Sequence, residues 1–339
     1  MGKYNKIYVL APYKHATGGV ELAHQLVDYL RNNNQQAYIV YVVYIKGVQS
    51  ISTNIDVTKE YVKYNIKVET SIEDNPDNIL ILPELYFEFI YQYKKINIGC
   101  WWMSVDNRYS KCSFKEMFLF NTNPIQRMLC IEKLLMGQIK THNSIKLLKQ
   151  EEKRIVHLYQ SHYAQSHLYS LGLSKVLPLS DYVNTEFNND SKLIKTDIIL
   201  YNPSKGYKYT KRIMRRLPNY NFVALKNLTR EEVKELFSKA KLYIDFGKFP
   251  GKDRLPREAI LNDCCIITGK FGASSFYEDV SIKEDYKFDV DKCKLSDITK
   301  RIEFVISHYD SCIIDFSFYK SRVVNEKETF ENEIKDLFL

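Results

Sequence analysis

Four short stretches combine glycine with residues able to hold an anion: TGGVE (Thr17–Glu21), YNPSKG (Tyr201–Gly206), GKFPGKDR (Gly247–Arg254) and GKFGASS (Gly269–Ser275). Each follows an apolar run that reads as a β-strand. Glycine at a strand exit lets backbone amides approach a ligand closely, and the N-terminus of a following helix favours negative charge. The second and third stretches add Lys205, Lys252 and Arg254, which points to a phosphate-rich ligand. For TGGVE a tight strand-to-helix turn explains Gly18 and Gly19 as well as an anion site does, and the stretch lacks the G-x-G-x-x-G spacing of a nicotinamide dinucleotide site. Beyond the third stretch, Pro256 suits the first position of a helix, which would put Glu258 in its first turn. A carboxylate there either complements the helix dipole or accepts hydrogen bonds from a cis-diol such as ribose.

These residues can act together only if the strands gather them. The first half of the chain alternates strand with helix: KIYVLAPY, VELAHQLVDYLRNN, AYIVYVVYI, NILILPE, a helix-like LYFEFIYQYKK, and INIGCWWMS. Val20, Ala23, Val27 and Leu30 recur at spacings of three and four, on one helical face. The rhythm restarts with DIILYNP, YKYTKRIMRRL and NFVALKN. A helix opened by the T-x-x-E box of Thr229 and Glu232 comes next, and then LYIDFG, PREAILND and CCIITG. FYKSRVVNEKETFENEIKDLF reads as one or two terminal helices. The Asn-, Ser- and Asp-rich LPLSDYVNTEFNNDSKLIKT reads as a linker with a boundary near Asn184–Lys195. The expectation is an α/β protein of two Rossmann-like domains, residues 1–188 and 189–339, each with a mostly parallel sheet, facing one another across a cleft.

Composition sets limits on partners. A length of 339 residues suits two domains, and the formal charge of +8 allows phosphate-rich molecules, anionic lipid or nucleic acid. The basic YKYTKRIMRR forms one helix and no nucleic-acid reader module is present, so nucleic acid is not expected as a partner. Seven cysteines show no CxxC or Cys/His spacing, and His157, His162 and His167 fall across a strand-to-helix junction, so no metal site is expected. A D-x-D occurs at Asp289–Asp291, after the last strand and far from the glycine stretches, and reads as a surface match. No run approaches the ~20 apolar residues of a membrane span, and no signal peptide is evident, so a cytoplasmic protein is expected.

APYKHATGGVELAHQL, ILPELY, WWMSVDNRY, HLYQSHYAQSHLYSLGL, LSDYVN, YNPSKG, LYIDFGKFPGKDRLPREAI and ITGKFGASSFYEDV together span nearly the whole chain. With these segments the chain resembles the GT-B glycosyltransferases, especially the branch that builds bacterial capsule, O-antigen and lipopolysaccharide. The resemblance implies an acceptor-binding N-terminal domain, a nucleotide-sugar-binding C-terminal domain and terminal helices that pack back toward the N-terminal domain. It implies that Lys205 and Gly206 meet the donor diphosphate, with Ser274 and Ser275 near the phosphates. Glu258 would bind the ribose, Leu228 would lie beside the nucleobase, and Gly18 and Gly19 would face the donor. One position departs from the pattern. Where many retaining members carry the first glutamate of E-x7-E, this chain has Pro250, and its loop offers Lys252, Asp253 and Arg254 instead.

Transfer from a nucleotide sugar requires the leaving diphosphate to be stabilised, and Lys205, Arg254 and helix N-termini can do so without a metal. An inverting enzyme also needs a base. Asp106, in WWMSVDNRY, is the first candidate and His15 the second; a retaining enzyme needs neither. The expected reaction is transfer of a hexosyl-type sugar to a glycan or lipid-linked glycan. A sugar-nucleotide 2-epimerase and a non-catalytic scaffold of the same architecture are the alternatives. Ile125–Arg154 mixes apolar residues with excess lysine, as an interfacial helix in peripheral contact with an anionic membrane does, and as a basic surface helix does.

Overall fold

Uninterrupted apolar runs become strands covered on both faces, as parallel sheets require. In β1 (Ile7–Pro12) the five residues from Ile7 to Ala11 are all buried. The computed structural model describes residues 2–45, 48–109, 114–121, 123–137, 144–184 and 194–339. The chain divides into two units: Met1–Gln160 with Ala164–Ser180 and Phe330–Leu339, and Ser161–Tyr163 with Asp181–Thr329. Of the expected linker, residues 177–196, the stretch 185–193 with the boundary at 188 lies outside the described residues, and residues 177–178 belong to a strand of the first unit.

The first unit holds β1, β2 (Ala37–Ile45), β3 (Val48–Ile51), β4 (Ile79–Pro83), β5 (Asn97–Trp102), β6 (Ile155–Tyr159) and β7 (Val176–Pro178). They form one sheet in the order β3-β2-β1-β4-β5-β6-β7. All neighbours are parallel except the β2–β3 hairpin. Helix α1 (Gly18–Asn32) buries Val20, Ala23, Val27 and Leu30, as their spacing predicts. Shorter helices follow: α2 (Val105–Arg108), α3 (Phe114–Phe120), α4 (Pro124–Leu135), α5 (Ile145–Gln150) and α6 (His162–Ser170).

Two expectations for this unit are corrected. LYFEFIYQYKK is not an α-helix: residues Glu84–Tyr91 form a 3-10 segment broken at Tyr86 (φ −114°, ψ 17°). Tyr86, Phe87, Phe89 and Ile90 are all buried, a pattern with no solvent face to support an amphipathic period. Ile125–Arg154 is likewise not one helix. It contains the separate α4 and α5, and residues 138–143 between them lie outside the described residues.

The second unit holds β8 (Thr196–Tyr201), β9 (Asn221–Ala224), β10 (Ala240–Asp245), β11 (Cys265–Gly269) and β12 (Lys287–Phe288), ordered β12-β11-β10-β8-β9 and parallel throughout. Helices α7 (Tyr207–Arg216), α8 (Arg230–Lys239) and α9 (Arg254–Leu261) connect β8 to β11, and α10 (Leu295–Ser307), α11 (Tyr309–Cys312), α12 (Ser317–Val324) and α13 (Glu326–Phe338) complete the chain. The capping box is present: the Thr229 hydroxyl accepts from the Glu232 amide, and Glu232 accepts from the Thr229 amide. Ile199, Leu242, Tyr243, Ile244, Ile266 and Ile302 are among the buried residues of the core.

Candidate functional site

Parallel strands place all their exits at one edge of a sheet, and in the second unit three glycine turns touch there. Gly206 caps α7 in the left-handed conformation (φ 66°), and a Cβ on it would lie 2.5 Å from both the Gly247 nitrogen and the Phe246 carbonyl carbon. Gly247 in turn lies against the Lys205 side chain. Phe249 donates its amide to Phe271 O (3.2 Å) and accepts from the Ala273 amide (2.8 Å). Gly272 (φ 62°) sits so close that a Cβ would be 2.1 Å from Phe249 O. The exits of β8, β10 and β11 therefore form one backbone-rich patch in which only glycine fits at Gly206 and Gly272.

The β9 exit joins this patch through charge. Arg230, the first residue of α8, holds a guanidinium nitrogen 3.6 Å from Glu258 Oε1, and Arg254 approaches the same oxygen to 3.4 Å. Glu258 is almost wholly buried. Burial pushes its carboxyl above the ordinary range, while Arg254, Arg230 and Arg257 pull it down. Leu228, half-buried, lies two residues before Arg230 and next to Asn227, which takes a positive φ of 56°. The placement of Glu258 needs one correction. Helix α9 starts at Arg254, so Pro256 is its third residue and Glu258 lies in its second turn. Proline fits anywhere in a first turn, where the amides have no intrahelical partner, and so does not mark the first position.

The cations around the β8 and β10 exits differ in engagement. The Lys205 ammonium pairs with the Asp253 carboxylate, lies 3.4 Å from Asp245 Oδ2, donates to Lys248 O (3.2 Å) and covers the Phe249 ring at 4.2 Å. Asp245 also accepts from the Tyr243 hydroxyl (2.9 Å) and the Gly247 amide (2.9 Å). Burial raises both carboxyls, against the pull of Lys205. Lys252 points elsewhere, to Glu326 (3.0 Å) and Asp181 (3.5 Å). The fully buried Arg257 meets Asp181 with two nitrogens (2.7 and 3.0 Å) and Glu326 with one (2.8 Å). Lys252 and Arg257 thus bind α9, Asp181 and the start of α13 into one ionic cluster, and the charge of Lys252 is neutralised there. Ser274 is also internal: its hydroxyl lies 2.5 Å from Gly269 O and accepts from the Phe271 amide (3.1 Å), whereas Ser275 is exposed.

In the first unit the exits of the adjacent strands β1, β4 and β5 gather a second group. Gly18 and Gly19 open α1, and a Cβ on Gly19 would lie 3.2 Å from Met103 Sδ, just past β5. His15 is exposed in the β1 exit loop. Asp106, half-buried, sits on α2, whose start is capped by the Ser104 hydroxyl accepting from the Asn107 amide (3.3 Å). Glu84, immediately after β4, accepts from the Met103 amide (3.1 Å) and is almost wholly buried. Burial pushes its carboxyl up to about 7, against the pull of the Met103 and Ser104 amides and the Asn107 side chain. A cavity of about 380 Å³ lined by Ile79, Asn97, Ile155 and Val176, the first residues of β4 to β7, opens at the opposite edge of this sheet.

The histidines are scattered. His157 pairs with the Trp102 indole (3.2 Å), His167 with the Tyr109 hydroxyl (2.7 Å), and His162 lies 3.5 Å from Asp279. Asp289 of the D-x-D lies in a turn beyond β12 and pairs with Lys292 at 2.9 Å. Among the described residues no group of three or more His, Cys, Asp or Glu side chains could hold a metal ion, and no helix is long and apolar enough to cross a membrane.

Sequence reasoning passed over Glu84, Arg230 and Asp245. For Glu84 and Asp245 a signal was present, a lone carboxylate at the end of an apolar strand run, which burial makes a candidate for a shifted pKa. For Arg230 there was none, because 28 residues separate it from Glu258.

No protein-family model matches the chain, and none of the curated proteins does. Solved structures match over almost its full length. HepE from Anabaena, in complex with UDP, superposes with a TM-score of 0.61 at 10% identity, covering 98% of this chain and 99% of its own. Sucrose-phosphate synthase from Thermosynechococcus elongatus gives 0.57 at 10% identity, and a glycosyltransferase from Rickettsia africae ESF-5 gives 0.55 at 13%; both cover 98% of each chain. Identities this low speak to architecture, and the architecture is plain: two α/β units with parallel sheets, in the fold of the GT-B glycosyltransferases.

Proposed function

We propose that the protein is a GT-B glycosyltransferase that moves a hexosyl-type sugar from a nucleotide-activated donor to a glycan or lipid-linked glycan acceptor. The observation that carries this reading is the convergence of four strand exits in the second unit, where the glycine turns at Gly206 and Gly272 lie beside Lys205, and Glu258 lies between Arg254 and Arg230. Backbone amides at the start of α7 with Lys205 suit a diphosphate, and a buried carboxylate suits a ribose diol. UDP in HepE and ADP in a starch synthase of the same fold agree with a nucleotide donor here.

Under this reading Lys205 and Arg254 stabilise the leaving diphosphate without a metal, and transfer survives EDTA. Asp106, with His15 as second candidate, receives the acceptor proton if configuration inverts. The pathway is assembly of a surface polysaccharide such as capsule, O-antigen or lipopolysaccharide. The protein works in the cytoplasm with peripheral contact at the inner face of the membrane.

Calorimetric titration with nucleoside diphosphates and with pyrophosphate tests the site. Glu258→Ala removes the ribose acceptors and also releases Arg254 and Arg230, so the ratio of nucleotide to pyrophosphate affinity is expected to fall while pyrophosphate binding is undiminished. An unchanged ratio in the variant would place the site elsewhere. Incubation with donor alone separates transfer from epimerisation: an epimerase converts the donor with no acceptor present.

A further inference from the structure

The cavity at the strand starts of the first sheet is apolar within and basic around. Buried Ile79, Ile98, Ile155 and Leu158, from β4, β5 and β6, line its volume of about 380 Å³, and Leu337 and Phe338 add the end of α13. The segment before β1 is tied to that helix end: the Lys3 amide donates to Phe338 O (3.2 Å), and the Tyr4 ring lies 6.4 Å from the Phe338 ring. Ligands of open α/β sheets bind at the carboxyl ends of the strands. The candidate donor site therefore does not account for a recess at the opposite edge.

Its charge is of one sign. Lys3, Lys153 and Lys175 line it from three separate segments, before β1, β6 and β7, and all three are exposed. Among the described residues none of them pairs with a carboxylate. Lys175 Nζ donates to Lys153 O (2.7 Å), which holds its ammonium beside the start of β6. Arg154, the fourth cation of the lining, is already engaged: its Nε meets Glu151 (2.8 Å) and its other nitrogens donate to Ile96 O (3.3 Å) and Ile90 O (2.7 Å). No described side chain lining the cavity is acidic, and Glu152, next to Lys153, accepts from the Ser174 amide (3.0 Å). Cations of one sign around a low-dielectric recess concentrate anions there, and apolar walls with a few convergent polar groups are the usual form of a small-molecule site. An inorganic anion would leave the apolar walls unused, and a carboxylate would offer one charge to three lysines. We infer that this recess binds a free phosphate monoester with a hydrocarbon body, its phosphate among Lys3, Lys153 and Lys175 and its chain against the apolar lining. The chain must enter with the phosphate, which a lipid held in a bilayer does not do. The inference does not rest on the nucleotide-sugar reading, since every residue of this recess lies in the first unit.

Calorimetric titration of the full chain with octyl phosphate tests the inference. Inorganic phosphate, octanoate and octyl glucoside are the control ligands, lacking in turn the chain, the second charge and any charge. Octyl phosphate is expected to bind one to one, about tenfold or more tighter than each of the three. Lys153→Gln/Lys175→Gln replaces two exposed side chains and is expected to weaken that binding by about tenfold or more. Leu177→Glu, which sets a negative charge at an exposed lining position of β7, is expected to abolish it. Far-UV circular dichroism and nucleoside diphosphate titration of each variant are expected to match the wild type, and they report folding and the donor site separately, so either proposal can fail alone. Octyl phosphate bound no more tightly than inorganic phosphate, undiminished binding by the lysine variant, or full displacement by a nucleoside diphosphate overturns the inference. So does binding of the wild type to phosphatidic acid vesicles with none to free octyl phosphate.

Discussion

The ammonium of Lys205 is held by the carboxylate of Asp253, with Asp245 Oδ2 3.4 Å away, so the lysine that leads into α7 is balanced by two acidic groups. A diphosphate arriving at the Gly206 turn competes with those carboxylates for the same charge. Asp253→Asn is therefore expected to tighten nucleoside diphosphate binding, and Lys205→Ala to weaken it by about tenfold to a hundredfold, the worth of a charge-assisted contact of roughly 1.5–3 kcal/mol. Calorimetry on both variants checks this. Unchanged affinity in both would make the lysine a purely structural partner of the two aspartates.

Gly206 is the backbone test of the same patch. Alanine there must hold a left-handed conformation, costing roughly 1–2 kcal/mol. Its Cβ would also overlap backbone atoms of Phe246 and Gly247 that have no rotamer to yield. Urea denaturation of Gly206→Ala is expected to show a loss of at least ~2 kcal/mol together with loss of nucleotide binding. A variant as stable as the wild type would mean that the β8–α7 turn can relax.

The cluster around Arg257 is expected to govern stability. Arg257→Ala leaves the two buried carboxylates Asp181 and Glu326 to share the single cation Lys252, and breaking a buried pair costs about 3–5 kcal/mol, an upper bound here because Lys252 remains. Burial alone would raise the Asp181 carboxyl, but Arg257 and Lys252 outweigh it and hold it below the ordinary range. A depressed carboxyl contributes stability above its unfolded pKa and loses it as pH falls through the folded one. Denaturation midpoints followed downward from pH 6 should therefore fall less steeply in Asp181→Asn than in the wild type.

Glu84 carries the opposite sign. Its folded carboxyl titrates near 7, against an ordinary value of 4.5. Between those pH values the native state keeps a proton that the unfolded chain releases, so stability declines as pH rises through that window. Glu84→Gln removes the ionisation, and its midpoint should stay level where that of the wild type falls. Parallel curves for the two proteins would show that Glu84 is ionised throughout.

Asp106 bears on the chemistry itself. If the reaction inverts configuration, Asp106→Asn is expected to lower kcat by ~10² or more with nucleotide affinity nearly intact, since a base acts on the acceptor and not on the donor nucleotide. Turnover close to normal would remove it as the base, and His15→Ala would be the next measurement.

Much of this protein is determined by neighbours in the chain. The apolar runs become β1, β4, β8, β10 and β11, the spacing of Val20, Ala23, Val27 and Leu30 sets the buried face of α1, and Thr229 with Glu232 opens α8, each through interactions a few residues long. The tertiary structure alone decided what those elements bring together. The order β12-β11-β10-β8-β9 sets the β8 exit against the β10 exit and Arg230 beside Glu258, residues that no local pattern connects. It also decided which cations are engaged. Lys205, Lys252 and Arg254 look alike at two strand exits, yet Lys205 meets Asp253, Lys252 meets Glu326 and Arg254 meets Glu258. Periodicity is a property of adjacent residues and survives in the sequence. Ion pairing and burial depend on which distant segments pack against them, and no pattern within a segment records that choice.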